Sequence, residues 1–298
     1  MRVCTRMAVL KGRGGEGTLW APPVSRGLIA VLAVTSLGVG QARADQSGGE
    51  PVVEQPGPLP RRDARAVAAT GAFLSFAQPA ALRDTQAVVL AIGGYDASRS
   101  GASYEAAAEV RVFGPLLLRG GVVRTASADR LRPSFGARVE ALGEQRHGLD
   151  GSVGVFYRPE GLTEPEGEIE TVVAVGRHVG MTYLLANLLY GQDPEGSERD
   201  GEFRLAALRH LGAGSRWLLG FDGRARFDLG SNSAKLAQNH EATVDAMAGP
   251  MVGVTLGPVA LALQGGGASR RLAGDTSYGA FGMLTLGCTW PGASSGVW

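Results

Sequence analysis

Between Leu219 and Leu229 a charged side chain stands at every second position: Asp222, Arg224, Arg226 and Asp228. Alternate residues of an extended chain share one face, so these four lie on the same side. Comparable sets recur along the chain as Glu105, Glu109 and Arg111, as Arg138 and Glu140, and as Glu168 and Glu170, with Arg119, Arg204 and Asp245 on further extended stretches. Two kinds of chemistry are open to such a set. Opposite charges in a low-dielectric wall can neutralise one another, because an unpaired buried charge is costly. Alternatively, the same residues can line an aqueous pore that selects ions or small solutes.

Other constellations carry less. The stretches Arg158–Glu170 and Gln192–Glu202 are acidic, with Glu160, Glu164 and Glu166 in the first and Asp193, Glu195, Glu198 and Asp200 in the second. Carboxylate oxygens suit hard divalent cations, but no EF-hand spacing is present and the stretches read as solvated loops. Three of the four histidines stand in Arg-His pairs (Arg146-His147, Arg177-His178, Arg209-His210) spaced 31 and 32 residues apart, each at a tight turn. Turns around a rim would keep these rings apart, so they read as basic interfacial positions rather than as a metal site. Ser231, Asn232, Asn239, His240 and Glu241 share one polar stretch, yet nucleophile, base and orienter need a fixed mutual geometry that a loop does not supply. There is no G-x-S-x-G, H-E-x-x-H, P-loop or paired-cysteine motif. The expectation is a non-enzymatic protein with no catalytic residues, metal or cofactor.

The elements that would position the charges are strands. Opposite Asp222–Asp228 lie Leu219, Phe221, Gly223, Ala225, Phe227 and Leu229, and the same alternation runs through Tyr104–Val112, Phe135–Ala141 and Glu168–Val175. Period-2 alternation of this kind predicts strands with one apolar and one polar face. Twelve are expected, at 86–95, 103–113, 115–125, 133–142, 149–158, 167–176, 181–191, 201–210, 215–229, 242–255, 258–268 and 277–290. Their connections alternate between tight turns, such as Gly114-Pro115 and Gly257-Pro258, and longer polar loops, including Asp96–Ala102 and Ser269–Thr276. Residues 246–269 contain no charge, but Gly249-Pro250, Gly257-Pro258 and Gly265-Gly266-Gly267 argue against a helix there. Pro250 nevertheless falls inside the tenth strand, where a bulge is expected to absorb it.

Aromatic residues gather at strand ends. Tyr95, Tyr104, Phe135, Tyr157, Tyr190, Phe203, Phe227 and Tyr278 adjoin the long loops; Phe113, Tyr183, Trp217 and Trp290 adjoin the tight turns. Two such belts suit rings at the two headgroup levels of a bilayer. A soluble sandwich would instead place its bulky rings in the middle. The apolar faces hold mainly Val, Leu, Ala and Gly, which suffices for lipid but is thin for a close-packed core. Arg124 and Arg209 fall on the lipid side at strand ends, where they can snorkel.

Upstream, Arg2, Arg6, Lys11, Arg13 and Arg26 precede the apolar run Gly27–Gly40 and the small-residue site Ala42-Arg43-Ala44, the pattern of a signal peptide spanning 1–44. The apolar run is shorter than the ~20 residues a spanning helix needs. Cleavage there removes six basic residues and one acidic one, leaving 23 basic and 27 acidic side chains, which argues against a nucleic-acid partner. Cys288 is then the sole cysteine, so no disulfide framework is expected. Residues 45–85 read as a periplasmic linker or N-terminal extension, with a short helix over Asp63–Phe76 or an extra strand over Gly71–Ala77 as alternatives. The barrel would occupy 86–290 and a tail 291–298.

Taken together, the signal peptide, the repeated hairpins, the aromatic belts and a terminal strand ending near Trp290 resemble bacterial outer-membrane β-barrels as a class. The resemblance implies a closed antiparallel up-and-down transmembrane barrel of about twelve strands (ten to fourteen), with short periplasmic turns and longer extracellular loops. It also implies an outer-membrane location, contact with lipid and lipopolysaccharide, and insertion by the barrel-assembly machinery. Barrels of this class commonly finish on an aromatic residue; here Pro291–Val297 separates Trp290 from Trp298. The functional expectation is either a narrow small-solute or ion channel or a structural barrel with a salt-bridged lumen. An outer-membrane enzyme acting on lipid or peptide at the rim, and a soluble periplasmic ligand-binding β-protein, are the alternatives. Oligomeric state is open.

Overall fold

A computed structural model describes residues 74–82, 85–98, 101–124, 130–158, 167–194, 198–212, 215–231, 242–272 and 275–291. The chain divides into two units, 1–55 and 56–298, and every described residue belongs to the second. The expected signal peptide, most of the expected linker, the Ser231–Glu241 stretch apart from Ser231, and the tail after Pro291 lie outside the described residues.

Twelve strands account for most of the described residues. They are β1 (Thr85–Asp96), β2 (Gly101–Phe113), β3 (Leu116–Arg124), β4 (Arg132–Leu142), β5 (Asp150–Arg158), β6 (Glu168–Val179), β7 (Thr182–Gln192), β8 (Glu198–His210), β9 (Trp217–Ser231), β10 (Ala242–Leu256), β11 (Val259–Leu272) and β12 (Asp275–Pro291). Each pairs antiparallel with its sequence neighbours, and β1 closes on β12 from Ala87↔Trp290 to Asp96↔Phe281. The product is the closed, up-and-down, twelve-stranded barrel that the alternation predicts. Closure leaves no strand edge, so every strand has a ladder partner on both sides.

Glycine sets the tight turns. Gly114, Gly180 and Gly257 hold φ of 48°, 59° and 65°, the left-handed region that residues with a Cβ adopt at a cost. The β4–β5 connection carries a single helical turn, α1 (Glu144–His147), ended by Gly148, whose N–H donates to the Glu144 carbonyl at 2.8 Å.

Pairing runs further than the side-chain polarity suggests. Asp96 pairs with Gly101, and Ser269–Leu272 pairs with Asp275–Tyr278, so most of the loop expected over Ser269–Thr276 is strand. The main chain of a hairpin gains by continuing its ladder whatever the side chains are, because an unpaired peptide group is costly. The charge-free 246–269 stretch forms most of β10, its turn and most of β11. Pro250 pairs in register with Phe221 of β9. On the β11 side the ladder passes from Ala248↔Gly267 to Met251↔Gln264 with equal residues skipped on both strands, so an interruption rather than a bulge accommodates the missing N–H. A Cβ on Gly249 or Gly266 would overlap the opposing backbone, which explains the glycines on both sides of that gap.

Burial follows the pleat. In β9, Leu219, Phe221 and Leu229 are exposed while Asp222 and Arg226 are buried. The exposed set continues around the outer wall through Val89, Leu118, Val153, Val173, Leu188, Leu205, Leu263 and Leu284. The polar faces point inward and the apolar faces outward, the reverse of a soluble sandwich. Arg124 and Arg209 are exposed at strand ends.

Candidate functional site

The interior divides along the barrel axis. Toward the tight turns of β6–β11 the inward side chains are apolar: Ala174, Tyr183, Leu185, Ala206, Leu208, Leu218, Met251, Ala260 and Ala262 form one cluster with Leu74, Ala77 and Ala80. Toward the long loops the inward positions are charged: Glu168, Asp200, Glu202, Arg226 and Asp245 are all buried.

Residues 74–82 lie inside the barrel and form neither helix nor strand. Their main chain is held by side chains from four strands, β4, β7, β8 and β9. The Asp222 carboxylate accepts three consecutive backbone N–H groups, from Ser75 (2.9 Å), Phe76 (2.8 Å) and Ala77 (3.3 Å). Asn187 grips Gln78 at two points, its Oδ1 accepting from the Gln78 N–H at 2.6 Å and its Nδ2 donating to the Gln78 carbonyl at 2.9 Å. Arg204 Nη1 donates to the Phe76 carbonyl at 3.0 Å, Arg138 Nη1 donates to the Pro79 carbonyl, and the Leu82 N–H donates to Glu140 Oε1 at 2.5 Å. Ser75 Oγ meets Thr285 Oγ1 at 3.0 Å. Gln264 Nε2 donates to the Asp222 carbonyl at 2.7 Å, tying the clamping strand to β11. The described part of the expected linker is therefore a buried plug. Leu74–Ala77, a candidate extra strand or helix end, makes its hydrogen bonds with side chains instead of with a ladder.

The charged residues expected to share the inner face are brought together in three groups. Arg226 is the hub of the first. Its Nε donates to Asp200 Oδ2 at 2.7 Å and its Nη2 reaches both oxygens of Glu168 at 2.6 and 2.7 Å, from β9 across to β6. Gly191 makes this possible, because a Cβ there would overlap the carboxylates of Asp200 and Glu168. In the second group Arg204 Nε meets Glu202 Oε1 at 2.6 Å and Arg158 Nε meets Glu170 Oε2 at 2.9 Å. In the third, Arg138 pairs with Glu109, Arg119 with Glu105, and Arg111 with Glu140 at 2.6 Å, lacing β2, β3 and β4 beside the plug.

Two expected partnerships differ. Asp222, anticipated in the charge network, instead receives the plug's main chain. Asp228 turns to its own strand end, where Oδ1 accepts the Gly230 N–H at 2.7 Å. Arg224 sits between the groups: Nη2 is 3.6 Å from Asp245 Oδ2 and 3.6 Å from the Met247 sulfur, its guanidinium lies 5.3 Å from the centre of the Phe76 ring, and its Nε is buried without a hydrogen-bond partner among the described residues.

Of the expected aromatic belts, Tyr95, Tyr104, Phe113, Tyr190, Trp217, Tyr278 and Trp290 are exposed, and Tyr157, Phe203 and Phe227 are half-buried on the outer face. Phe135 packs on Tyr157 with ring centres 5.2 Å apart. Tyr183 is a correction. It is 5% exposed and points inward, its ring 4.6 Å from that of His178. It shares β7 with Tyr190, and residues separated by an odd number of positions on one strand cannot share a face.

Sequence reasoning passed over Arg158, Asp200, Asn187 and Gln264. Arg158 and Asp200 continue the inward alternation of Phe156 and Glu202, Arg158 as the last residue of the expected strand 149–158 and Asp200 in an expected loop. Asn187 lies between Leu185 and Leu189 on an otherwise apolar inward face, a lone amide that needs a partner. At the Arg-His turns, the His178 N–H and Nδ1 each meet a Glu144 oxygen at 2.7 Å, and His147 folds back on Gly143. Among the described residues no three metal-ligating side chains gather.

Above Phe76 a cavity of about 130 Å³ opens toward the long-loop rim, lined by Ser75, Phe76, Glu105, Arg158, Arg204 and Arg224 among others. No protein-family model and no curated protein sequence matches the chain. Among solved structures it is similar to the NanC porin, with a TM-score of 0.49 at 7% identity over 68% of this chain and all of that one. An outer-membrane channel from Pseudomonas putida F1 gives 0.41 at 10% identity over 70% of this chain and 97% of that one. The outer-membrane channel DcaP of Acinetobacter baumannii gives 0.38 at 13% identity over 64% of this chain; the chain spans 63% of that protein's length.

Proposed function

We propose that this chain is a non-enzymatic outer-membrane barrel whose lumen is closed at rest by its own N-terminal segment and braced by cross-lumen ion pairs. One observation carries the reading: the carboxylate of Asp222, fully buried, is spent on three successive peptide N–H groups of Ser75–Ala77. A pore-lining carboxylate would face water instead. A continuous apolar outer wall supports the membrane location, since soluble monomers rarely expose contiguous apolar patches beyond a few hundred Å². Lipid and lipopolysaccharide would contact that wall, and the barrel-assembly machinery would insert it. A narrow channel is the second reading, favoured by the cavity above Phe76.

Planar-bilayer recordings separate the two. The closed barrel predicts no steady conductance from the wild-type protein and a steady conductance once residues 74–82 are deleted. Stable wild-type conductance at the level of the deletion variant would sink the closed reading. Heat-dependent gel mobility of protein from outer-membrane fractions tests the location; a single mobility with the protein in the soluble fraction would exclude it.

A further inference from the structure

The wall sorts its charges by sign. Both signs face the lumen, but among the described strand residues every charged side chain that is exposed is an arginine: Arg124, Arg177, Arg199, Arg209 and Arg271. Sheet register brings two of these together at the tight-turn end. Arg177 of β6 lies opposite Leu184 of β7, and Arg209 of β8 lies opposite Thr182 of the same strand. Thr182 and Leu184 are successive outward positions, so the two arginines flank β7. Their Cα atoms are about 12 Å apart, given a strand spacing of ~4.8 Å and a rise of ~3.4 Å per residue. Neither makes an ion pair among the described residues, and the neighbouring Glu144 is held by His178. Val175, Leu188 and Leu205 are exposed on the same face toward mid-wall, and Val179 and Trp217 toward the turns. Trp217 is the outward position next to Leu219, the residue opposite Arg209, and an exposed indole suits the headgroup level of a bilayer.

We propose that the outer wall across β6, β7 and β8 holds one anionic glycerophospholipid, its phosphate gripped between Arg177 and Arg209 and its acyl chains lying along Leu184, Leu188 and Leu205. A guanidinium presents its donors as a planar fork that matches phosphate oxygens two at a time. Two long arginine side chains reaching over Thr182 close the span between them on one phosphate, with the threonine hydroxyl as a further donor. Charge selects the headgroup. Two cations on an apolar wall are compensated by a net negative lipid, whereas the ammonium of a zwitterionic headgroup meets no exposed carboxylate on the described strands. The site rests on the membrane location proposed above and does not depend on whether the lumen conducts.

The test is native mass spectrometry of the full chain in detergent micelles, titrated with phosphatidylglycerol and, separately, with phosphatidylethanolamine. Wild-type protein should take up one phosphatidylglycerol in preference to phosphatidylethanolamine. Replacing both arginines (Arg177→Gln with Arg209→Gln) should weaken phosphatidylglycerol binding about tenfold or more, the scale of two cations removed from an anionic lipid. The paired lysine variant (Arg177→Lys with Arg209→Lys), which keeps the charge but not the fork, should fall between. Removing the same charge at the other rim (Arg124→Gln with Arg271→Gln) should leave the first bound lipid unchanged. Heat-dependent gel mobility shows that each variant is folded, and if the glutamine pair does not fold, the comparison of wild type with the lysine pair decides. Equal uptake of the two lipids by a wild-type barrel with heat-dependent mobility would overturn the site and leave the membrane location standing. A wild-type chain found in the soluble fraction with a single mobility would overturn both. Equal losses from the Arg177/Arg209 and Arg124/Arg271 variants would reduce the preference to overall charge and sink the site.

Discussion

The two halves of the lumen solve the same problem in different ways. On the long-loop side, buried charges satisfy one another: Arg226 with Glu168 and Asp200, Arg204 with Glu202, Arg158 with Glu170. On the turn side of β6–β11, the strands offer small and branched apolar residues, and the side chains of Asn187 and Asp222 bordering them find their hydrogen-bond partners in the main chain of residues 75–78. A side chain–side chain network is complete once the barrel closes. A side chain–main chain clamp is complete only when a separate stretch of the polypeptide arrives. The first makes the wall rigid, whereas the second makes closure of the lumen depend on nine residues outside the sheet.

That contrast can be broken from either side. The largest effect is expected from deleting residues 74–82, which should expose the apolar cluster around Leu208 and Leu218 and leave the Asp222 carboxylate and the Asn187 amide without the main-chain groups they hold; urea midpoints followed by gel mobility should drop well below wild type. Arg226→Ala comes next. It strands two buried carboxylates and should cost about 3–5 kcal/mol, while combining Arg226→Met with Glu168→Gln and Asp200→Asn should recover most of the loss. If the single and triple variants are equally unstable, the network is not what holds that half.

Asp222→Ala should cost roughly 2–4 kcal/mol by leaving three peptide donors unsatisfied. Its signature is local: hydrogen exchange at Ser75, Phe76 and Ala77 should quicken while amides near Arg226 keep their protection. Uniform acceleration over both halves would mean that plug and wall open as one unit. Gly191→Ala should cost about 1–3 kcal/mol, because its methyl presses on the Asp200 and Glu168 carboxylates. Smallest of all, Asp228→Asn should lie within about 0.5 kcal/mol of wild type, since that side chain serves only its own strand end.

Strand number, order and facing were legible because period 2 is a local property. Charged residues at 222, 224, 226 and 228 against Leu219, Phe221, Phe227 and Leu229 admit one register, and a slip by one residue would put every charge in the outer wall. The same rule, applied within β7, separates Tyr183 from Tyr190; nearness to a turn had grouped them. Ladder length was less legible, as at Ser269–Leu272, because main-chain pairing does not consult side-chain polarity.

Partnership was not legible at all. Alternation assigns Arg226 to the inner face but does not say that it reaches Glu168 on β6, which depends on barrel curvature and on the space left at Gly191. The composition of residues 45–85 lacks any periodic signal, so Leu74–Leu82 reads as linker. A segment that hydrogen-bonds to side chains from many strands needs no period of its own. By itself, then, the sequence determined the barrel, its strand count and the charged side of each wall, since these follow from local patterning and turn chemistry. Only the tertiary structure decided that residues 74–82 lie inside the barrel, that Asp222 receives their main chain, and that Arg226 reaches Glu168 on β6, because each depends on residues far apart in the chain meeting across a closed interior.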